Sequence, residues 1–180
     1  MERRVINMLI TFFIDSYILE LGNGDDGMQY MIQPVATVSN SRKTIKDDHW
    51  GEINSTIELS ENLHEESLKG IEDFSHIEII FYFDQVSDDQ IQYEARHPRN
   101  NQNYPKVGIF AQRGKNRPNK IGITMVELVE VKQRTLIVKG LDDIDGTPII
   151  DMNPVMKEFL PKGVIKQPAW STDLMKAYWE

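Results

Sequence analysis

The run His76–Phe83 (HIEIIFYF) constrains the fold of this chain more than any other stretch. It is nearly all apolar and aromatic, with only Glu78 breaking it. Such a run predicts a central strand covered on both faces. Other short runs surround it. Met31–Ser39 alternates and is rich in β-branched residues, Ile53–Leu59 (INSTIEL) reads as a second strand, and Leu136–Gly140 and Thr147–Asp151 read as two more. Ile121–Val131 alternates at Ile121, Ile123 and Met125 and then turns mixed over Val126–Val129, which predicts a long strand with a bulge. Leu63–Ile71 reads as a short helix or turn, and Ser171–Trp179 as a helix capped by Ser171 or Thr172 with Asp173 in its first turn. Strands dominate, connections are short and no strand–helix–strand alternation is present. The expected fold is mainly β: a small antiparallel β-barrel with short helical additions and a C-terminal helix.

At 180 residues the chain is long enough for one such domain to bury a core unaided. It has no cysteine, so disulfides and thiolate metal sites are excluded, as suits a reducing, cytoplasmic setting. The four histidines, His49, His64, His76 and His97, share no metal-ligand spacing, and no metal is expected. Met1–Arg4 followed by Val5–Ile14 resembles a basic and then apolar leader, but Asp15 interrupts it and no small-residue cleavage site follows. Gly22–Gly27 is a polar joint. These features divide the chain into an N-terminal appendage over 1–29, a barrel domain over 30–160 and a tail with a helix over 161–180, with no membrane span.

Charge then singles out one region. Between Arg96 and Lys120 lie seven basic residues and no acidic one, in a chain of net charge −8. The +7 of this segment leaves −15 on the rest. Packing like charges together raises the energy unless an anion neutralises them. Gly114, Pro118 and Gly122 fix the backbone where Arg113, Asn116, Arg117 and Asn119 interleave, and guanidinium groups grip phosphate or carboxylate at two points. A ligand-binding loop is favoured over a merely solvated basic face.

No G-x-G-x-x-G turn, P-loop or G-x-S-x-G elbow is present. Two further clusters carry polar chemistry. Phe74-Ser75-His76 opens the aromatic run, where His76 is either a structural histidine bonded to backbone or a ligand contact. Leu141–Pro148 (LDDIDGTP) puts three carboxylates within four residues. It reads as a turn, as an acceptor set for a ribose or a cation, or as a metal loop lacking the downstream Glu of a calcium site.

Taken together, the stretches Gly70–Phe83, Val107–Gly122 and Leu141–Pro154 resemble the TsaA-like, TrmO-type family of tRNA methyltransferases, over roughly Pro34–Pro154. Three ordered motifs at matching separations are far more specific than any one of them. The resemblance implies a barrel that binds S-adenosylmethionine as a homodimer, with the cofactor near the subunit interface, in the short form without an extra C-terminal domain. By position it implies cofactor contacts from Ser75, His76 and Ile77, from Arg96 or Arg99, and from Asp142, Asp143, Ile144 and Asp145. Asp48–Trp50 falls where the family has another cofactor loop. Arg113, Asn116, Arg117 and Asn119 are expected to hold the substrate or to shape the loop that does; no residue stands out as an obligatory general base, and Asp145 is the candidate offered. The implied activity is N6-methylation of threonylcarbamoyladenosine at position 37 of tRNA. The alternatives are a methyltransferase of the same fold with a small-molecule acceptor and a non-catalytic S-adenosylmethionine-binding module. Departures from the motif are Gly114-Lys115 where the family has Ser-Pro after the arginine, and Lys120 where it has proline before Ile-Gly.

Overall fold

The computed structural model describes residues 30–180 and the backbone of Leu19–Glu20. The leader-like stretch and the polar joint of the sequence lie outside the described residues. The chain divides at Gln33/Pro34. In the first unit β1 (Leu19–Glu20) pairs antiparallel with β2 (Met31–Ile32).

The second unit is built on β3 (Ala36–Ser39), β4 (Asn54–Leu59), β5 (His76–Tyr82), the short ribbon β6 (Ala95–Arg96) with β7 (Val107–Gly108), then β8 (Ile121–Lys132), β9 (Thr135–Lys139), β10 (Pro148–Pro154) and one helix, α1 (Ala169–Leu174). Six of these strands close on themselves in the order β10-β3-β4-β9-β8-β5, every pair antiparallel. The mainly β antiparallel barrel expected from the sequence is the architecture observed. Closure gives each of these strands a hydrogen-bonded neighbour on both sides.

The interior follows the two-residue period of a strand. Ile77, Ile79 and Phe81 point inward from β5, and Ala36, Val38, Ile57, Leu59, Val126, Leu136, Val138 and Ile149 meet them, all essentially inaccessible. Gly122 on β8 is required by this packing: a Cβ there would stand 2.2 Å from the Phe81 ring. Leu68, on a 3-10 turn over Glu65–Leu68, joins the same core.

Several expected boundaries move, each for a local reason. Met31–Ser39 is not one strand, because Pro34 cannot donate a ladder hydrogen bond and separates β2 from β3. Leu63–Ile71 becomes two 3-10 turns, Glu65–Leu68 and Ile71–Asp73, parted by Gly70 at φ 87°. The run His76–Phe83 is central, between β8 and β10, yet covered fully on one face only: its outward positions Glu78, Ile80 and Tyr82 are half-buried. The expected bulge in β8 exists between Leu128 and Glu130. It switches the inward side chains from even to odd positions, so that Val131 can pack on the core. The helix starts two residues earlier than expected, at Ala169, with no side-chain cap, and ends at Leu174. Beyond it the chain turns its carbonyls to another loop instead of continuing the helix.

Candidate functional site

The outer face of β5 and β8 forms the floor of a basin of about 840 Å³. Glu78 and the half-exposed Ile123 and Met125 contribute from the strands. Three loops and the C-terminal segment raise its walls.

The first wall is the loop after β3. Arg42 stacks on the indole of Trp50 at 4.4 Å and donates to the carbonyls of Asp48 and His49, which draws the loop tight. Asp47 and Trp50 face the basin. The second wall is the segment after β6. Arg99 grips the Asp48 carboxylate with two hydrogen bonds of 2.9 and 2.7 Å and donates to the Asp47 carbonyl at 3.1 Å. Both Arg99 and Asn100 sit in the left-handed region, at φ 49° and 57°, so this turn is held in a conformation that side chains disfavour. Arg99 thus faces the basin but spends its planar fork on locking two walls together.

Arg96 differs. It lines the same basin, and its Nε is buried without a hydrogen-bond partner. The ribbon that carries it is stapled by the Gln112 side chain, which donates to the Val107 carbonyl at 2.9 Å. An unsatisfied buried donor costs about 1–3 kcal/mol, so this N–H is a standing donor for a ligand's acceptor atom.

The acidic motif supplies the opposite polarity. Asp143 is 4% exposed. Its Oδ1 accepts from Thr147 Oγ1 at 2.8 Å and from the Ile144 N–H at 2.9 Å, while its Oδ2 has no partner. Burial pushes its carboxyl up to about 8, against the pull of those two donors and with a push from the charges of Asp142 and Asp84. Asp84 lines the basin too and is itself raised by burial. Asp142 accepts from the Thr124 hydroxyl on one oxygen and from the Tyr178 hydroxyl on the other.

Of the expected site residues, Arg96, Arg99, Arg113, Asn116, Asp142, Asp143 and Ile144 are brought to this one basin. Arg113 donates to the Ile123 carbonyl, and Asn116 donates to the Gln90 carbonyl at 2.9 Å, so part of the basic loop is tied to neighbouring chain. The other expected residues stand elsewhere. Ser75 and His76 are exposed at the start of β5, with the hydroxyl 2.9 Å from the ring Nδ1. Ile77 is a core residue with no accessible surface. Asp145 pairs with Lys43 at 2.6 Å and accepts the Asn40 N–H at 3.0 Å; those two contacts hold its carboxyl below the ordinary range. Arg117 and Asn119 lie off the basin; the Arg117 backbone shapes the turn, bonding Lys115 and Lys120 at 2.9 Å each.

Sequence reasoning missed Asp84, Thr124, Trp170 and Tyr178. Nothing in the spacing of the tail aromatics indicates a pairing with a motif carboxylate. Among the described residues no group of three or more His, Asp or Glu side chains converges as metal ligands.

Chemically, the basin offers an unpartnered cationic donor, an unpartnered carboxyl oxygen, fixed carboxylates and indole rings within one enclosure. It suits a ligand that combines a carboxylate, a hydroxylated or cationic centre and a flat base.

Comparison with known proteins gives the same direction. The family model of the tRNA-methyltransferase O N-terminal domain matches residues 42–159. The tRNA (adenine(37)-N6)-methyltransferase of Mus musculus is 37% identical over 98 residues, covering 54% of this chain and 22% of that protein. A probable S-adenosyl-L-methionine-binding protein of Pyrococcus abyssi is 39% identical over 108 residues, 60% of this chain and 55% of its own length. The match therefore spans only about a fifth of the mouse protein and about half of the archaeal one. A crystal structure of TrmO from Pseudomonas aeruginosa superposes with a TM-score of 0.66 at 22% identity, covering 81% of this chain and 63% of that one, which establishes the shared fold.

Proposed function

Because this chain belongs to the tRNA-methyltransferase O N-terminal domain family, we propose that its basin binds S-adenosylmethionine and directs the methyl group to N6 of threonylcarbamoyladenosine at position 37 of tRNA. The observation that carries the reading is the pair of orphaned buried atoms, Arg96 Nε and Asp143 Oδ2, on one basin. The first is a cationic donor for the ligand's carboxylate, and the second belongs to a carboxyl that burial holds protonated and that can meet a ribose hydroxyl. Arg96 takes the carboxylate of the amino-acid end, and Asp142 and Asp143 take the ribose hydroxyls. Bound S-adenosylmethionine supplies an electrophilic methyl on a sulfonium centre, and the overall transfer yields the thioether S-adenosylhomocysteine, N6-methylated nucleoside and one proton. The protein's contribution is alignment and exclusion of water. The exposed Arg113 and the basic turn behind it, with Asn116, Arg117 and Asn119, face the anionic threonyl and phosphate groups of the acceptor.

A homodimer is part of this reading. Ile123 and Met125 are 43% and 47% exposed on the barrel face that floors the basin, and Ser75 and His76 lie exposed at the end of the same strand pair. A second copy packed there would cover the apolar pair and bring Ser75 and His76 to the cofactor. A cytoplasmic setting belongs to the same reading, since tRNA is its substrate. Among the described residues no helix is long and apolar enough to cross a membrane.

The test is turnover. Purified protein with methyl-labelled S-adenosylmethionine and tRNA bearing threonylcarbamoyladenosine should yield the N6-methylated nucleoside at position 37 by mass spectrometry. Cofactor binding with no methylated tRNA would overturn the tRNA assignment in favour of a small-molecule acceptor or a binding module.

A further inference from the structure

The C-terminal strap, residues 167–179, lies wholly outside the segment that matches the family, 42–159, yet builds one wall of the basin. Trp170, Leu174, Met175 and Tyr178 all face the enclosure. The strap is fastened at two places. The His49 and Trp50 N–H groups donate to the carbonyls of Ala177 and Tyr178 at 3.1 and 2.9 Å. At the other end the Tyr104 hydroxyl donates to Asp173 at 2.8 Å. The approach is close enough to need a glycine: a Cβ on Gly51 would stand 2.0 Å from the Trp179 carbonyl oxygen.

This fastening delivers the Tyr178 hydroxyl to Asp142 Oδ2, whose sister oxygen accepts from Thr124. A carboxylate on an otherwise open wall can rotate about its last bond. With one donor on each oxygen, from a strand on one side and the strap on the other, it cannot.

We infer that Tyr178 is a positioning residue for the adenosyl-ligand site, fixing the Asp142 carboxylate in the orientation that receives the ligand's hydroxyl pair. The inference rests on the proposed S-adenosylmethionine site and adds a determinant from beyond the family domain. Burial and the neighbouring Asp142 charge raise the Tyr178 phenol well above its ordinary value, in keeping with its role as the hydroxyl donor to Asp142. Each Asp142 oxygen keeps a second lone pair free for the ligand. The ligand class is an adenosine with a free ribose diol and a sulfur-borne amino-acid chain.

The test is a double-mutant cycle read by calorimetric titration with S-adenosylhomocysteine. Tyr178→Phe should weaken binding roughly fivefold to tenfold, and Asp142→Ala by at least as much. The double variant should bind no more than about twofold worse than Asp142→Ala alone, because a residue that acts through Asp142 has nothing left to act on. Losses that multiply in the double variant, or a Tyr178→Phe protein that binds like the native one, overturn the inference. Hydrogen exchange on the unmodified chain gives a second reading independent of how the variants fold. S-adenosylhomocysteine should slow exchange in the peptide spanning Met175–Glu180, and an unchanged rate there contradicts the coupling. A native chain that binds no S-adenosylhomocysteine removes the cofactor reading itself, whereas binding with additive variants removes only the role of Tyr178.

Discussion

Inside the barrel, Ile57, Ile77, Phe81, Leu136 and Ile149 have at most 1% of their surface exposed, whereas in the basin on its outer face Arg96 and Asp143 each keep a buried polar atom without a partner. The interior is redundant: many apolar contacts share the work, and no single one chooses the fold. The basin is sparse, with each polar group holding one specific neighbour or waiting for one. Stability should therefore reside in the first region and ligand affinity in the second, and substitutions can be chosen to pull the two apart.

The largest effect is expected inside. Ile57→Ala, on the β4 side away from the basin, should cost about 2–5 kcal/mol in denaturant unfolding. The folded fraction should still bind S-adenosylhomocysteine with native affinity. A comparable loss of affinity would show that the two regions are not separable.

Next comes pH, which reaches the basin through Asp143. Its folded carboxyl stands near 8 against an ordinary 3.8. From about pH 4 to 8 the native state thus keeps a proton that the unfolded chain has released, so stability falls as pH rises through this window. The slope from this one group approaches about 1.4 kcal/mol per pH unit. Asp143→Asn imitates the protonated acid, and its melting temperature should fall less steeply over the same range than that of the native chain. Parallel melting curves would mean that Asp143 is ionised in the folded protein.

Gly51→Ala should lift the strap while leaving the barrel closed. We expect about tenfold weaker ligand binding, near 1.4 kcal/mol, with a smaller change in unfolding free energy. Stability loss without loss of affinity would place the strap outside the site. The smallest effect belongs to Arg117→Ala, off the basin, which should alter stability by less than about 0.5 kcal/mol. It should nonetheless reduce tRNA methylation if the basic turn meets the acceptor. A large drop in melting temperature would instead make Arg117 architectural.

The same contrast separates what could be read in the sequence from what could not. Alternation and apolar runs are local properties, so β4, β5, β8, β9 and β10 were visible, as was the bulge that turns β8 at Leu128–Glu130, whereas the two-residue strands β6 and β7 were not. The three motif patches were visible because they are contiguous. Which member of a motif faces the ligand was not. In Asp142-Asp143-Ile144-Asp145 the chain turns sharply enough that Asp143 is buried while Asp145 goes to Lys43. Arg96 and Arg99 look alike in sequence, yet Arg99 is taken by Asp48, a partner 51 residues away. The helix in the tail ends at Leu174, short of the expected Trp179, where the carbonyls of Ala177 and Tyr178 accept from the backbone of His49 and Trp50, a contact no local propensity encodes.

The most direct measurement is a crystal structure with S-adenosylhomocysteine. The account predicts the ligand in the basin between β8 and the C-terminal strap, its carboxylate on Arg96 and its ribose on Asp142 and Asp143. Density for the ligand on another surface, or a basin left vacant at saturating concentration, would contradict it.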